Sequence, residues 1–478
     1  MWNGEEYERA ATLAVAKVGE FVAASQRGEG PVTAWPSLEG VLHDLDARRW
    51  IREGGMDPDA FGAFLDAYLA RSLRIHHPGY MAHQVAAPDV GAALSDLVHG
   101  AINNPMAMWE MGPAAAAIEV AVLDWMLGQV GWDPATAAGV LTHGGSLANL
   151  TALLGARARI APDAWTRGTP SDLCVLAPPS AHYSVARAVA ILGLGEDALI
   201  ALETDSHERV VPERLEAALA RARAAGRRPM ALVAAACATS TGLHDDLGAI
   251  ARFCREHGIW LHADCAHGAS ALLSARHRGL LAGIEHADST VWDPHKMLAT
   301  SSMCAAVLFR NAADLGAAFH QEASYLFYGD GHEGIDLMSR AVECTKAPLG
   351  TKLFLNLAWR GERGMGDHVA GLYDAAHRFW ELIRARPGFD CPYEPESNIL
   401  CFRYGSDGAR QIALRARLLA GGDFHLSSTA IAGERYLRLV VMAPATDDGT
   451  IERLMDAIEH GDRDIIDGDG IVASYRHD

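Results

Sequence analysis

The stretch Asp288-Ser-Thr-Val-Trp-Asp-Pro-His-Lys-Met297, read with Leu261-His-Ala-Asp-Cys-Ala-His-Gly268 upstream, decides the fold. Each is a short apolar run ending in polar residues, the pattern of a buried strand that delivers side chains to a cleft at its carboxyl end. Pro294 cannot continue a central strand, so Lys296 is expected on a loop just past the sheet, within reach of a ligand. Asp264 closes the run Ile-Trp-Leu-His-Ala, and a carboxylate in that apolar setting needs a cationic partner.

A lysine, a carboxylate for a ring nitrogen, a group for the ring face and a phosphate cradle are together what pyridoxal phosphate requires. Singly, Lys296 also reads as a surface lysine and Asp264 as a helix cap; the rest of the chain decides between the readings. From Gly139 a β-like run passes through Gly144, Gly145 and Ser146 into a helical pattern. Glycines admit a phosphate to the backbone, and a helix amino terminus offers free N–H groups and a positive dipole end, so these three are the cradle candidates. The run Leu173–Ala177 leads to His182, in the right order to cover a ring face, and Met230–Ala238 leads to Thr239 at the other edge. Alternating strands and helices from 139 to 310 imply a mainly parallel sheet with right-handed crossovers.

Outside that region, residues 7–24 and 36–70 read as helices without an obvious core of their own, expected to pack on something else. The segment Ile75–Gln84 is too rich in His, Gly and Pro for regular structure; it reads as a pocket-lining loop, with Tyr80, His83 and Gln84 on the substrate side, and not as a metal site. Residues 91–131 give two more helices, and Glu110 between them hints at an amine-bearing substrate or, on the simpler reading, a buried internal pair. The end of His320–Gly334 suits a loop that closes over substrate. A helical pattern restarts near Thr351, and Pro395–Tyr404 and Arg435–Met442 read as strands of a smaller α+β domain. The expected division is 1–90, 91–355 and 356–478.

The composition, 50% hydrophobic and 21% charged over 478 residues, is that of a globular protein of two or three domains. A net charge of −19 argues against nucleic-acid or anionic-membrane partners. The eight cysteines have no CxxC or zinc spacing and read as reduced core residues. No long apolar run stands out, and the acidic start Met-Trp-Asn-Gly-Glu-Glu is unlike an export signal, so a cytoplasmic location is expected.

Eight blocks, in order, resemble the group II pyridoxal-phosphate-dependent amino-acid decarboxylases, from about His76 to Leu454. They are His-Pro at 77–78, Gly-Gly-Ser-Leu-Ala-Asn-Leu at 144–150, His-Tyr-Ser-Val at 182–185, Asp-Cys-Ala-His at 264–267, Asp-Pro-His-Lys at 293–296, Ala-Ser-Tyr-Leu-Phe at 323–327, Pro-Glu-Ser-Asn-Ile at 395–399 and Leu-Arg-Leu-Val-Val at 437–441. The resemblance implies fold type I, like aspartate aminotransferase. That is an α/β fold with a mostly parallel seven-stranded sheet, helices on both faces, a helical amino-terminal segment and a small α+β carboxy-terminal domain.

It makes Lys296 the lysine that joins the cofactor aldehyde, Asp264 the partner of the pyridine nitrogen and His182 the residue stacked on the ring. Gly145 and Ser146 would hold the phosphate, Thr239 and Ala266 would pack at the cofactor, and His295 is the lysine's neighbour. Tyr325 would supply a proton to the α-carbon after carbon dioxide leaves, and Arg438 would meet the substrate carboxylate. Asp293, where many relatives have Asn, and His267, where Tyr is common, depart from the pattern. The implied activity is α-decarboxylation of a small polar or charged amino acid of the glutamate, aspartate, cysteine-sulfinate or 2,4-diaminobutyrate type. The alternatives are an aromatic amino-acid decarboxylase, an aminotransferase or a carbon–carbon lyase. A homodimer with the active site at its interface is implied as well.

Overall fold

The computed structural model describes residues 3–34, 36–319 and 334–466. Four helices come first: α1 (Gly4–Gln26), α2 (Leu38–Asp44), α3 (Ala47–Glu53) and α4 (Pro58–Ala70). Their caps are legible in the sequence, since Asn3, Ser37 and Asp57 each accept a backbone N–H of the first turn. Among these four helices only Ser25 and Gly62 are buried. The segment therefore has no core of its own.

Next come α5 (Val90–Ile102) and α6 (Pro113–Val130). The sheet region runs β1 (Ala138–Thr142), α7 (Gly145–Ile160), α8 (Ala164–Arg167), β2 (Leu173–Ala177), α9 (Tyr183–Ile191), β3 (Leu199–Ala201), α10 (Leu215–Ala224), β4 (Arg228–Ala235), α11 (Leu247–His257), β5 (Trp260–Asp264), β6 (Ser289–Trp292) and β7 (Ala305–Phe309). The seven strands stand in the order β1-β7-β6-β5-β4-β2-β3, and β7 is antiparallel to both its neighbours while the rest pair in parallel. Strands β1, β2, β5, β6 and β7 are buried along their whole length, as strands covered on both faces must be.

After α12 (Ala312–Ala317), the long helix α13 (Leu349–Ala385) leaves the sheet region, kinked at Gly361, where φ is +68°. The 355/356 boundary expected from sequence falls inside it. Strands β8 (Phe389–Asp390) and β9 (Ile399–Tyr404), α14 (Gly408–Gly421), β10 (Ser427–Ile431), β11 (Glu434–Val440) and α15 (Asp448–Ile466) complete the chain, with a small antiparallel sheet ordered β10-β11-β9-β8. The strand expected over 395–404 is shorter than its apolar pattern suggested, because Ser397 and Asn398 use their side chains in hydrogen bonds to Ile399 and Val441.

Three sequence expectations need correction. Cys344 is exposed and Cys391 half-buried, so only six of the eight thiols are core residues. Glu110 is exposed in a single turn of 3₁₀ helix, and the buried carboxylate of this region is Glu119 on α6, ion-paired with Lys346. No long apolar run is expected, yet α6 is, among the described helices, the one long and apolar enough to cross a membrane by length and composition. Its buried side packs on β1, β7 and α13.

Candidate active site

The carboxyl ends of β1, β2, β4, β5 and β6 open into one cavity of about 210 Å³. Open parallel sheets bind ligands in that position, where the loops of neighbouring strands diverge. Gly144, Gly145, Ser146, His182, Thr239, Asp264, Ala266, His295 and Lys296 all line it. The sheet thus brings together every cofactor candidate of the sequence, drawn from five separate connections.

Gly144 precedes α7 with φ +105°, a conformation that side chains disfavour, and a Cβ there would meet Met303 at 2.2 Å. A Cβ on Gly145 would lie 2.8 Å from Asp293 Oδ2. The two glycines keep the amino terminus of a 16-residue helix open to the cavity, which suits a phosphate group. Asp293 is less accommodating: its carboxylate is buried against this same terminus, and Oδ1 has no partner among the described residues. Lys296 Nζ and His295 Nε2 stand 3.2 and 3.6 Å from its other oxygen.

Asp264, at the last position of β5, accepts from Asn149 Nδ2 at 3.0 Å and from the Ala266 amide at 3.3 Å. These bonds hold it as an acceptor facing the cavity, the arrangement that a protonated ring nitrogen fits. His182 is the cap of α9, with Nδ1 2.7 Å from Ser184 Oγ. Burial lowers its pKa, the Asp264 charge opposes that, and Lys296 reinforces it. Burial also raises the Cys237 thiol to about 11, which removes it as a nucleophile near neutrality. His267 is buried, its pKa held well below the ordinary value by burial and then by Lys296. Its Nε2 meets Asn398 Oδ1 at 2.6 Å, which ties the cavity wall to the small domain.

The substrate candidates lie at the seam with the small domain and are not among the residues lining the cavity. Arg438 on β11 is buried and gives Nη1 to Ala82 O at 3.1 Å and to Ser427 Oγ at 3.0 Å, while its Nε and Nη2 have no partner among the described residues. Tyr80 is buried and meets the His425 ring edge-on at 5.7 Å; His83 meets the same ring at 5.5 Å. Gln84 Nε2 is buried and likewise unpartnered among the described residues. Tyr325 lies outside the described residues.

Asn149, His143 and Cys237 also line the cavity and were not singled out from sequence. Among the described residues, no group of three or more metal-ligating side chains occurs.

A family model described as the pyridoxal-dependent decarboxylase conserved domain matches residues 67–405. The chain is 31% identical over 456 residues to the L-2,4-diaminobutyrate decarboxylase of Rhizobium meliloti, covering 94% of this chain and 90% of that one. It is 31% identical over 470 residues to the cysteine sulfinic acid decarboxylase of Rattus norvegicus, covering 94% of each. It is 29% identical over 455 residues to the acidic amino acid decarboxylase GADL1 of Mus musculus, covering 91% and 82%. Among solved structures, mouse CSAD in apo form superposes with a TM-score of 0.87 at 26% identity, covering 95% of this chain and 98% of that chain.

Proposed function

The chain belongs to the pyridoxal-dependent decarboxylase family, and on that premise we propose that it releases carbon dioxide from the α-carbon of an L-amino acid with a small polar or charged side chain. It is a pyridoxal-phosphate-dependent carboxy-lyase. The convergence of Lys296, Asp264 and His182 in one cavity carries the reading. Glutamate, aspartate, cysteine sulfinate and 2,4-diaminobutyrate are the substrate types, in keeping with what the names of the relatives say of those proteins.

Pyridoxal phosphate, when bound, supplies a conjugated ring that accepts the electrons of the breaking carbon–carbon bond. Lys296 would hold the cofactor through its aldehyde carbon. Asp264, its carboxylate held by the Asn149 and Ala266 donors, would face the ring nitrogen. His182 would cover the ring face. Gly144, Gly145 and Ser146 would hold the phosphate at the start of α7, with Thr239, Ala266 and His295 packed around the ring. Arg438 offers Nε and Nη2, without partners among the described residues, to a carboxylate, the two-pronged match of a guanidinium. Tyr80, His83 and Gln84 shape the substrate side, and Tyr325 returns a proton to the α-carbon.

The enzyme is a homodimer whose active site lies at the interface. Helix α5 supports this, since it turns Gly91, Ala92 and Ser95 inward and Val90, Leu94, Leu97, Val98 and Ile102 outward. That is the reverse of a surface helix and is what a second chain would cover. Phe354 and Trp359 of α13, which packs on α5, extend the apolar face. We place the enzyme in the cytoplasm, where free thiols persist.

The test is the purified protein with pyridoxal phosphate and a panel of amino acids, scored for carbon dioxide and amine. One strong substrate from the small polar or charged group, with turnover lost in Lys296→Ala, is the expected result. Amino transfer without carbon dioxide would overturn it.

A further inference from the structure

Asn149, on the second turn of α7, is buried at 2% exposure and touches both sides of the cavity chemistry. Its Nδ2 donates to Asp264 Oδ2 at 3.0 Å and to Ser184 Oγ at 2.8 Å, and its Oδ1 lies 2.9 Å from His262 Nε2. Beyond these, His262 Nδ1 is 2.9 Å from Ser289 Oγ, which accepts the indole N–H of Trp260 at 2.8 Å. On the other side, Ser184 Oγ is 2.7 Å from His182 Nδ1.

The directions of these bonds follow from one backbone amide. The Ser184 N–H donates to His182 Nδ1 at 3.3 Å, so that nitrogen is an acceptor and the neutral ring carries its hydrogen on Nε2. Ser184 Oγ then donates to the same Nδ1 and accepts from Asn149 Nδ2, which turns both amide hydrogens toward Ser184 and Asp264. Asn149 Oδ1 therefore accepts from His262 Nε2, and His262 Nδ1 accepts from Ser289 Oγ, which itself accepts the Trp260 indole N–H. Burial lowers the pKa of His262 as well, consistent with a neutral ring in the middle of the chain.

We propose that Asn149 is a positioning residue that sets two groups with one amide: it keeps Asp264 an acceptor, and through Ser184 it holds His182 as the Nε2–H tautomer. This rests on the reading that Asp264 and His182 face the cofactor. A carboxamide alone can do both, since it carries two donors and one acceptor in one plane. An isosteric carboxylate cannot, because it would oppose Asp264 unless a proton lay between them. The other charged groups acting on His182 are Lys296 and Asp293, from the loop after β6, and Arg187 on α9. All three are unchanged in the variants that follow.

Pyridoxal phosphate is titrated into the apoprotein, and its visible absorption band is followed from pH 8.5 to 6 for the parent, Asn149→Asp and Ser184→Ala, alongside turnover. In Asn149→Asp, affinity for the cofactor should be about tenfold or more weaker at the alkaline end and should approach the parent at the acidic end, where the two carboxyls share a proton. In Ser184→Ala, cofactor affinity should match the parent while the acid limb of turnover moves to higher pH, because neutral His182 loses a donor. An Asn149→Asp deficit that is the same at every pH, together with a lower melting temperature, would reduce Asn149 to a packing role and overturn the proposal. So would a Ser184→Ala profile identical to the parent. If the parent itself fails to bind pyridoxal phosphate, the cofactor reading fails instead.

Discussion

Lys296 Nζ stands 3.2 Å from Asp293 Oδ2, and that same oxygen occupies the space a side chain on Gly145 would need. One carboxylate therefore answers the lysine and also fills the mouth of the helix where the proposed reading puts the phosphate. A carboxylate there would oppose a phosphate, which an amide in its place would not. Asp293→Asn should bind pyridoxal phosphate about tenfold more tightly, equivalent to about 1.4 kcal/mol. Equilibrium titration of the apoprotein reads this directly, and unchanged or weaker affinity would show that Lys296 and His295 fully offset the charge.

Arg438 is a buried guanidinium with two donors that have no partner among the described residues, a costly arrangement unless a ligand completes it. Arg438→Met should lower kcat/KM about a hundredfold while leaving the melting temperature of the unliganded protein level or raised. A large drop in melting temperature would mark the arginine as structural.

The outward apolar face of α5 predicts the oligomeric state. Sedimentation should give twice the chain mass of 51.1 kDa. Leu97→Glu combined with Val98→Glu should give single chains and, if the active site is shared, no turnover. A parent that sediments as one chain would exclude the shared site.

Stability should fall on the acid side of neutrality. Burial, helped by Arg360, lowers His368 to about 4, and burial, helped by His83 and Arg415, lowers His425 to about 4. Burial also lowers His262. In the unfolded chain these rings take up protons near their ordinary 6.5, so below that pH the unfolded state binds more protons than the folded one. The contribution is whole above about pH 6.5 and is lost progressively toward pH 4. Denaturant midpoints at pH 7.5 and 5 measure it, and equal midpoints would contradict the buried neutral histidines.

Lys296, Asp264 and His182 were legible because each follows an apolar run by a few residues, and the ends of parallel strands share one edge. The antiparallel entry of β7 was not, since a buried strand has the same apolar pattern in either direction. The relay through Asn149 was also hidden. Its members come from four elements, and Asn149 lies 113 residues from His262 and 35 from Ser184, so no local spacing connects them. Asn149 sat inside the quoted Gly-Gly-Ser block as an ordinary helix residue. Tyr80 was legible as a loop residue, but its pairing with His425 depends on a small domain encoded near the other end of the chain.

That pairing sets an order of events during synthesis. His425 donates to Gly79 O and accepts from Met81 N, Val440 donates to Met81 O, and Arg438 reaches Ala82 across 356 positions of sequence. The segment around Tyr80 leaves the ribosome well before β10 and β11 and must wait without these partners until they emerge, 356 positions separating Ala82 from Arg438. The seven-stranded sheet can assemble meanwhile from its own residues. The seam between Tyr80 and the small domain can be completed only after β11 emerges, well after the cavity at the strand ends, so on the proposed reading late truncations should yield proteins that are coloured but inert.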